Sequence, residues 1–487
     1  MNQEFVIGKY TLESLTSGMY ASPLDLYREY IQNAVDSFDD AINRNVELAS
    51  KLHIEITISQ EDGRITIRDN GCGIKASKAV GTLLDIGNSK KSQRTSRGFR
   101  GIGRLAGLSY CDRLTFRTSA KNEEVCTIIE FDAALLKQLM LPGGAEDETI
   151  SDVIDKIVTI RTEHETANRR FFEVVLEGVW PEAGLTDPCI VEEYLIQHAP
   201  LTFSSEFKWG RTISEKIRLE GYSVPQYSIS LNGKDLVKPY QDQFISDRVK
   251  KNTDTVKDVC VKSFFRGDVL SAIVWYARTS FFGTIMDNSI KGIRIRQGNI
   301  LIGDRTSCNH LFKEERFNGW MMGELHILDP ELIANSRRDG FEKNAAYYEL
   351  LALIKEWALD LSKEIRHISY ERSLTGSKKT IVEADRIEEI NDENSLWTED
   401  FSYADELSES NLASQGESEE LAETDYIAKL GLLLDQKKSQ TKYMALNINT
   451  KLTQEQRRVL ERVFDIVRQV YPQDTANGFI DLIITGF

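Results

Sequence analysis

The chain has 487 residues, 41% of them hydrophobic, enough for two to four domains with large cores. No apolar run approaches the ~20 residues that cross a bilayer, and the six scattered cysteines form no CxxC pair, which argues against a zinc site or a disulfide framework. The net charge of −16 is concentrated: residues 383–425 carry 16 acidic residues and one basic residue, Arg386, so the remainder is close to neutral.

The opening MNQEFVIGKYTLESL lacks a basic region followed by an apolar core. A signal peptide is therefore not expected, and a cytoplasmic protein without a membrane partner is. Residues 10–20 and 24–45 have helical spacing. In the second helix Leu26, Tyr30, Val35 and Phe38 form an apolar stripe. HIEITIS (53–59) and GRITIRDN (63–70) alternate apolar and polar residues around a QEDG turn and predict a hairpin. Residues 75–108 are rich in Gly, Ser, Lys and Arg, with few strong elements expected. RLTFRTS (113–119) and VCTIIEF (125–131) read as another hairpin, RFFEVVLEGV (170–179) as a strand, and VEEYLIQHAP (191–200) as a short helix stopped by Pro200. This order predicts an α+β domain over residues 1–205, one layer of helices on a largely antiparallel sheet.

Residues 206–345 carry a second α/β pattern, with strands expected at YSISLNG, VLSAIVWYAR, KGIRIRQGNILIG and MGELHILD. An amphipathic helix over 343–368 follows, so 346–375 reads as a helical extension. The acidic stretch 376–425 reads as a disordered linker, and 426–487 as a small C-terminal α/β segment. There Thr453 and Gln456 form a capping-box pattern, and Pro472 follows the helix end.

Three polar patterns stand out against this background. Glu29, Asn33 and Asp36 fall on one face of the helix 24–45. Asp69, Gly71 and Gly73 form D-x-G-x-G at the end of a strand. Gly98, Gly101 and Gly103 form G-x-x-G-x-G before an expected helix, with Lys90, Lys91, Arg94, Arg97, Arg100 and Arg104 in the same loop. Such glycines let backbone N–H groups approach phosphate, and a helix N-terminus adds a favourable dipole. An amide such as Asn33 can ligate a divalent ion without adding negative charge.

Taken in order, E-x-x-x-N-x-x-D, D-x-G-x-G and a glycine-rich lid resemble the GHKL ATPase superfamily, which includes type II topoisomerases, the ninety-kilodalton heat-shock chaperone, histidine kinases and MutL. The resemblance covers residues 1–205 and implies a Bergerat α/β sandwich that binds ATP and Mg²⁺. It implies that Asp69 accepts the adenine amino proton and that Gly73, with Gly71, lets the base approach. It further implies that Asn33 holds the magnesium, that Glu29 orients and deprotonates the attacking water, and that Asp36 supports the pocket. Lys90, Gly98, Gly101 and Gly103 would face the phosphates.

Beyond the first domain, residues 320–344 resemble the end of the middle, or transducer, domain of the heat-shock chaperone, where an N-x-S-R-E loop delivers an arginine to the γ-phosphate. Here the loop reads N-S-R-R-D, so the spacing between Asn335 and Ser336 departs by one residue. Arg337 is the matched arginine and Arg338 the substitute. MutL and MORC proteins use a lysine in this role, which makes Lys291 and Arg294 runners-up. The resemblance therefore implies a chaperone-like switch ATPase acting on a protein partner, with stress or defence as the expected setting. The alternative is a MutL- or MORC-like clamp on DNA, which a salt-dependent gel shift would reveal; the interleaved acids of the middle segment disfavour it.

A homodimer is expected. Val459, Val463, Ile466, Val467 and Val470 give an apolar helix face in a C-terminal segment of about 60 residues, a size that is marginal alone. Light scattering should report a full-length dimer and a weaker or monomeric state for a chain ending near Thr375. A full-length monomer with and without ATP analogue removes the expectation.

Overall fold

The computed structural model describes Tyr20 and residues 22–46, 51–85, 103–141, 149–247 and 251–376. All lie in the first of two units into which the chain divides, Met1–Lys379 and Thr380–Phe487. All but Tyr20 of the expected helix at 10–20, the acidic linker and the C-terminal segment fall outside the described residues.

The elements of the first sheet follow chain order closely. Helix α1 (Asp25–Asn43) precedes the hairpin β1 (His53–Ser59) and β2 (Arg64–Asp69), paired antiparallel from Ile54↔Asp69 to Ser59↔Arg64. Helix α2 (Ala76–Leu84) and a 3₁₀ turn at Gly103–Ser109 lead to β3 (Arg113–Ser119) and β4 (Val125–Asp132), the second expected hairpin. Helices α3 (Ala133–Met140) and α4 (Ile150–Ile157) precede β5 (Val158–His164), then β6 (Phe171–Glu177) and α5 (Pro188–His198). The strand order is β5-β4-β3-β6-β2-β1, continued by β7 (Ser228–Leu231) and β8 (Lys234–Asp235). The buried alternation along β1 places Ile54, Ile56 and Ile58 in one core with the apolar stripe of α1. Each such residue, fully buried, contributes about 1.5–3 kcal/mol.

Two features differ from expectation. The segment YSISLNG, grouped in sequence with the second pattern, supplies β7, which pairs in parallel with β1 from His53↔Ser228 to Ile56↔Leu231. Helix α2 and the 3₁₀ turn lie in a stretch where few elements were expected. The apolar positions of α2 are few, and of its nine residues only Ala79 and Leu83 are buried, so its periodic signal is weak.

Helix α6 (Gly210–Leu219), absent from the sequence reading, opens the second pattern. The ladder β9 (Gln243–Ser246) and β10 (Asn252–Thr255) follows it. A five-stranded sheet then forms in the order β11-β12-β15-β13-β14: β11 (Asp258–Arg266), β12 (Val269–Arg278), β15 (Met322–Ile327), β13 (Gly292–Gln297) and β14 (Ile300–Ile302). Helix α7 (Ala345–Gly376) closes the described part. Strand β12 is buried on both faces. Ile273, Trp275 and Ala277 pack with Ile213 and Ile217 of α6, whereas Ala272 and Val274 pack with Leu350, Ile354 and Trp357 of α7. Double burial explains why VLSAIVWYA is a continuous apolar run rather than an alternating one.

The join between the sheets is ionic. Glu324 of β15 is fully buried, with Lys238 Nζ 2.6 Å from its Oε2 and Arg296 Nε 2.5 Å from its Oε1 as an ion pair rather than an aligned hydrogen bond. The Tyr240 hydroxyl and Trp275 Nε1 donate to the same carboxylate at 3.0 and 3.2 Å. Burial alone would raise its pKa, but Arg296 and Lys238 hold it well below the usual carboxylate range. Arg296 also donates to the carbonyls of Gln197 and Ala199 at the end of α5, and Asn299 to those of Leu201 and Pro225. Glu324→Ala should strand two buried cations and cost about 3–5 kcal/mol, read as a lowered denaturant midpoint for the 1–379 unit. A midpoint within error of wild type would show that the cluster does not hold this joint.

Candidate functional site

Helix α1 has two buried stripes. Leu26, Tyr30, Val35 and Phe38 face the core, as their spacing predicts; Asp25, Arg28, Glu29, Gln32 and Asp36 are buried as well. Polar groups withdrawn from water cost free energy unless they are paired. Arg28 Nη1 lies 3.1 Å from Asp25 Oδ1, and the Tyr194 hydroxyl donates to that oxygen at 2.8 Å.

Glu29 is held from both sides. Arg338 Nε donates to its Oε1 at 3.2 Å, and Arg28 Nε stands 3.7 Å from the same oxygen. On the other side, a Cβ built on Gly103 would lie 2.2 Å from Glu29 Oε2. A side chain at 103 would have to push the Glu29 carboxylate aside, so glycine lets the loop backbone abut it undisturbed.

Arg338 arrives from the second core, in a turn after β15. Asn335 accepts from the Arg338 amide at 3.1 Å, Gly340 O accepts from the Asn335 amide at 3.0 Å, and the Arg338 carbonyl accepts from the Gly303 amide at 2.8 Å. Its backbone is left-handed, with φ 58°, a costly conformation for a residue with a Cβ. Burial lowers the guanidinium pKa below its ordinary value, against the opposing pull of Glu29. Arg337, expected as the inward arginine, is exposed, and only its carbonyl takes part, accepting from Arg28 Nη2 at 3.4 Å. Neighbouring residues of a tight turn project to opposite sides, so the inward arginine is 338 and not 337. Of the runners-up, Arg294 is buried and donates to the carbonyls of Asn288 and Ser289, while Lys291 is half-buried. Neither pairs with α1 among the described residues.

Asn33 is half-buried beside the stripe, and Asp36 is buried close enough for its charge to act on Arg338. Asp69, at the end of β2, is 4% exposed and accepts from the Gly71 amide at 2.9 Å. Burial pushes its carboxyl up to about 7, against the lowering pull of the Gly71 N–H and of Arg68. Gly73 is left-handed, with φ 62°, and a Cβ there would lie 1.9 Å from the Ser119 carbonyl. The strand β3 thus presses the D-x-G-x-G turn into place, and Thr118 Oγ1 accepts from the Ile74 amide at 2.8 Å. Arg104 donates to the carbonyls of Thr82 and Asp85, which fastens the 3₁₀ turn to the end of α2. Lys90, Gly98 and Gly101, with Lys91, Arg94, Arg97 and Arg100, lie outside the described residues.

The sequence reading did not single out Arg28 or Gln32. Both sit on the polar stripe, and a charged residue next to Glu29 on that face was the available signal. Among the described residues neither amide atom of Gln32, both buried, has a hydrogen-bond partner, a cost of about 1–3 kcal/mol that fits a site completed by a polar ligand. The donor set suits a nucleotide: a buried carboxyl for an exocyclic amine, an amide for a divalent ion and a carboxylate with its own cation.

Asp69 titrates near 7 in the fold and near 3.8 unfolded, so the folded state holds the extra proton between these values. Its contribution to stability is then full below pH 4 and is lost as pH rises through 7. The gap in thermal midpoint between wild type and Asp69→Asn should therefore change across pH 4–7 and level off above about pH 8; a gap independent of pH would show that Asp69 is not protonated in the fold.

Residues 27–140 match the family model described as histidine kinase-, DNA gyrase B-, and HSP90-like ATPase. The chain is also similar to the chaperone protein HtpG of Mycolicibacterium gilvum, 30% identical over 136 residues that cover 24% of this chain and 21% of the relative. HtpG of Acinetobacter baylyi is 29% identical over 122 residues, 21% of this chain and 19% of the relative. The chain thus matches about a fifth of the length of these curated relatives. Residues 27–140 therefore match the GHKL ATPase superfamily, and over this stretch the chain resembles the heat-shock chaperones.

Proposed function

We propose that this protein hydrolyses ATP and uses the reaction to switch between two settings of its domains, acting as a chaperone-like ATPase on a protein partner, as a homodimer. The observation that supports this best is the Glu29–Arg338 pair, because it joins a carboxylate of the first core to a cation of the second. Glu29 is the general base: released from Arg338, its Oε1 takes a proton from the attacking water. Arg338 is then free to turn toward the negative charge that grows on the transferred phosphoryl group. An arginine delivered across a domain boundary makes hydrolysis depend on domain setting. Asp69 accepts from the adenine amine, and the turn at Gly71 and Gly73 keeps side chains away from the base. Magnesium, when bound, is held by Asn33 and offsets phosphate charge.

Glu29→Ala should lower turnover about 10²- to 10⁴-fold while leaving the affinity for a non-hydrolysable ATP analogue unchanged. Arg338→Ala should also bind the analogue and turn over slowly, whereas Arg337→Ala should stay near wild type because its side chain faces solvent. Steady-state ATPase assays and calorimetric titration separate these effects. Wild-type turnover in Glu29→Ala removes the base assignment, and a greater loss in Arg337→Ala than in Arg338→Ala removes the arginine assignment.

A further inference from the structure

Against the turn that follows Arg338 lies a cavity of about 200 Å³, lined in part by Asp339, Gly340 and Phe341. Its walls include Ile295 and Leu325 from the sheet, Leu350 and Ile354 from α7, and Gly340 and Phe341 from the turn itself. The cavity is partly open to solvent, so its apolar wall atoms are left without the close contacts they have elsewhere in a well-packed core. Water gains little there, because a buried water needs 2–4 polar partners and the wall offers mainly side-chain carbon. The polar side chains in its lining include Ser307 and the exposed His310 and Asp339.

From this we infer that the second core carries a binding site for a small uncharged apolar molecule, about the size of one substituted or fused aromatic ring, and that its occupant steadies the turn bearing Arg338. The size argument is direct: an enclosed apolar cavity of about 150 Å³ accepts benzene, and this partly open one is somewhat larger. The link to the turn is also direct. Gly340 and Phe341 form cavity wall, while Arg338, two residues away, is fixed to the same turn by the Ala334↔Phe341 bridge and the Asn335–Gly340 hydrogen bond. A guest that supplies the missing contacts must restrict the wall, and so the turn.

Indole serves as the probe, titrated into the full chain by calorimetry and by saturation-transfer NMR. Wild type should bind it saturably with Kd of about 1 mM or tighter, the range expected for a ligand of this atom count. Filling the cavity with Leu351→Trp should weaken binding at least about tenfold. Leu351 is half-buried, so the larger side chain has room; Ile354→Phe is the second filling variant should the first fail to fold. In wild type, amide hydrogen exchange over residues 334–341 should slow on saturation with indole. Absence of saturable binding, or equal binding in a folded filling variant, overturns the site. Binding that leaves exchange in the turn unchanged overturns its coupling to Arg338.

Discussion

A single carboxylate, Glu324, organises the way the two sheets meet. It is fully buried and takes Lys238, Arg296, Tyr240 and Trp275 as partners. Burying an ion is costly, and a buried cluster is seldom more stable than a well-packed apolar one. Its value lies in geometry. Arg296 uses its remaining donors on the end of α5, and Asn299, which accepts from Lys238, uses its amide on Leu201 and Pro225. Charge pairing has direction where apolar packing has little, so the second sheet is set at one attitude to the first. That attitude determines where the turn after β15 arrives, and therefore where Arg338 stands.

The site follows from this placement. Helix α1 carries an acid, an amide and a second acid along one face, and the same face would be an unfavourable thing to bury without a cation from outside. Arg338 is that cation. Its left-handed backbone is tolerated because the surrounding turn over-determines it. The pair joins Arg338 Nε to one oxygen of Glu29 at 3.2 Å. A polyanion beside α1 offers the guanidinium a better partner than a single carboxylate does.

Much of this was legible in the sequence, and for identifiable reasons. Glu29, Asn33 and Asp36 could be read because a helix repeats every 3.6 residues and polar groups on a core-adjacent face are conspicuous. The hairpins 53–69 and 113–132 were legible because each strand buries one face and alternates. Three things were not. Strand β7 belongs to the first sheet, but nothing local in YSISLNG says which edge it will join; that is fixed by a pairing 175 positions away, His53 with Ser228. The inward arginine is Arg338 because of one residue's left-handed φ, and an N-S-R-R-D string does not display dihedral angles. Gln32 and Arg28 share the stripe's helical spacing, but their burial was not legible because it comes from the second core and the 103–109 turn, both distant in sequence.

The parallel join of β1 and β7 bears on how the molecule can be divided. Chain order invites a cut after residue 205, between the two patterns. Such a cut would strip β7 and β8 from the sheet and leave the outer edge of β1 with open N–H and C=O groups. An exposed edge of this kind recruits other strands, so the excised piece would tend to self-associate for reasons unrelated to nucleotide. It would also lose the His53 contacts with Ser228 and Ser230. The first sheet therefore extends through Asp235, and the stretch near 205 is, in structural terms, a crossover within that sheet rather than a linker between two.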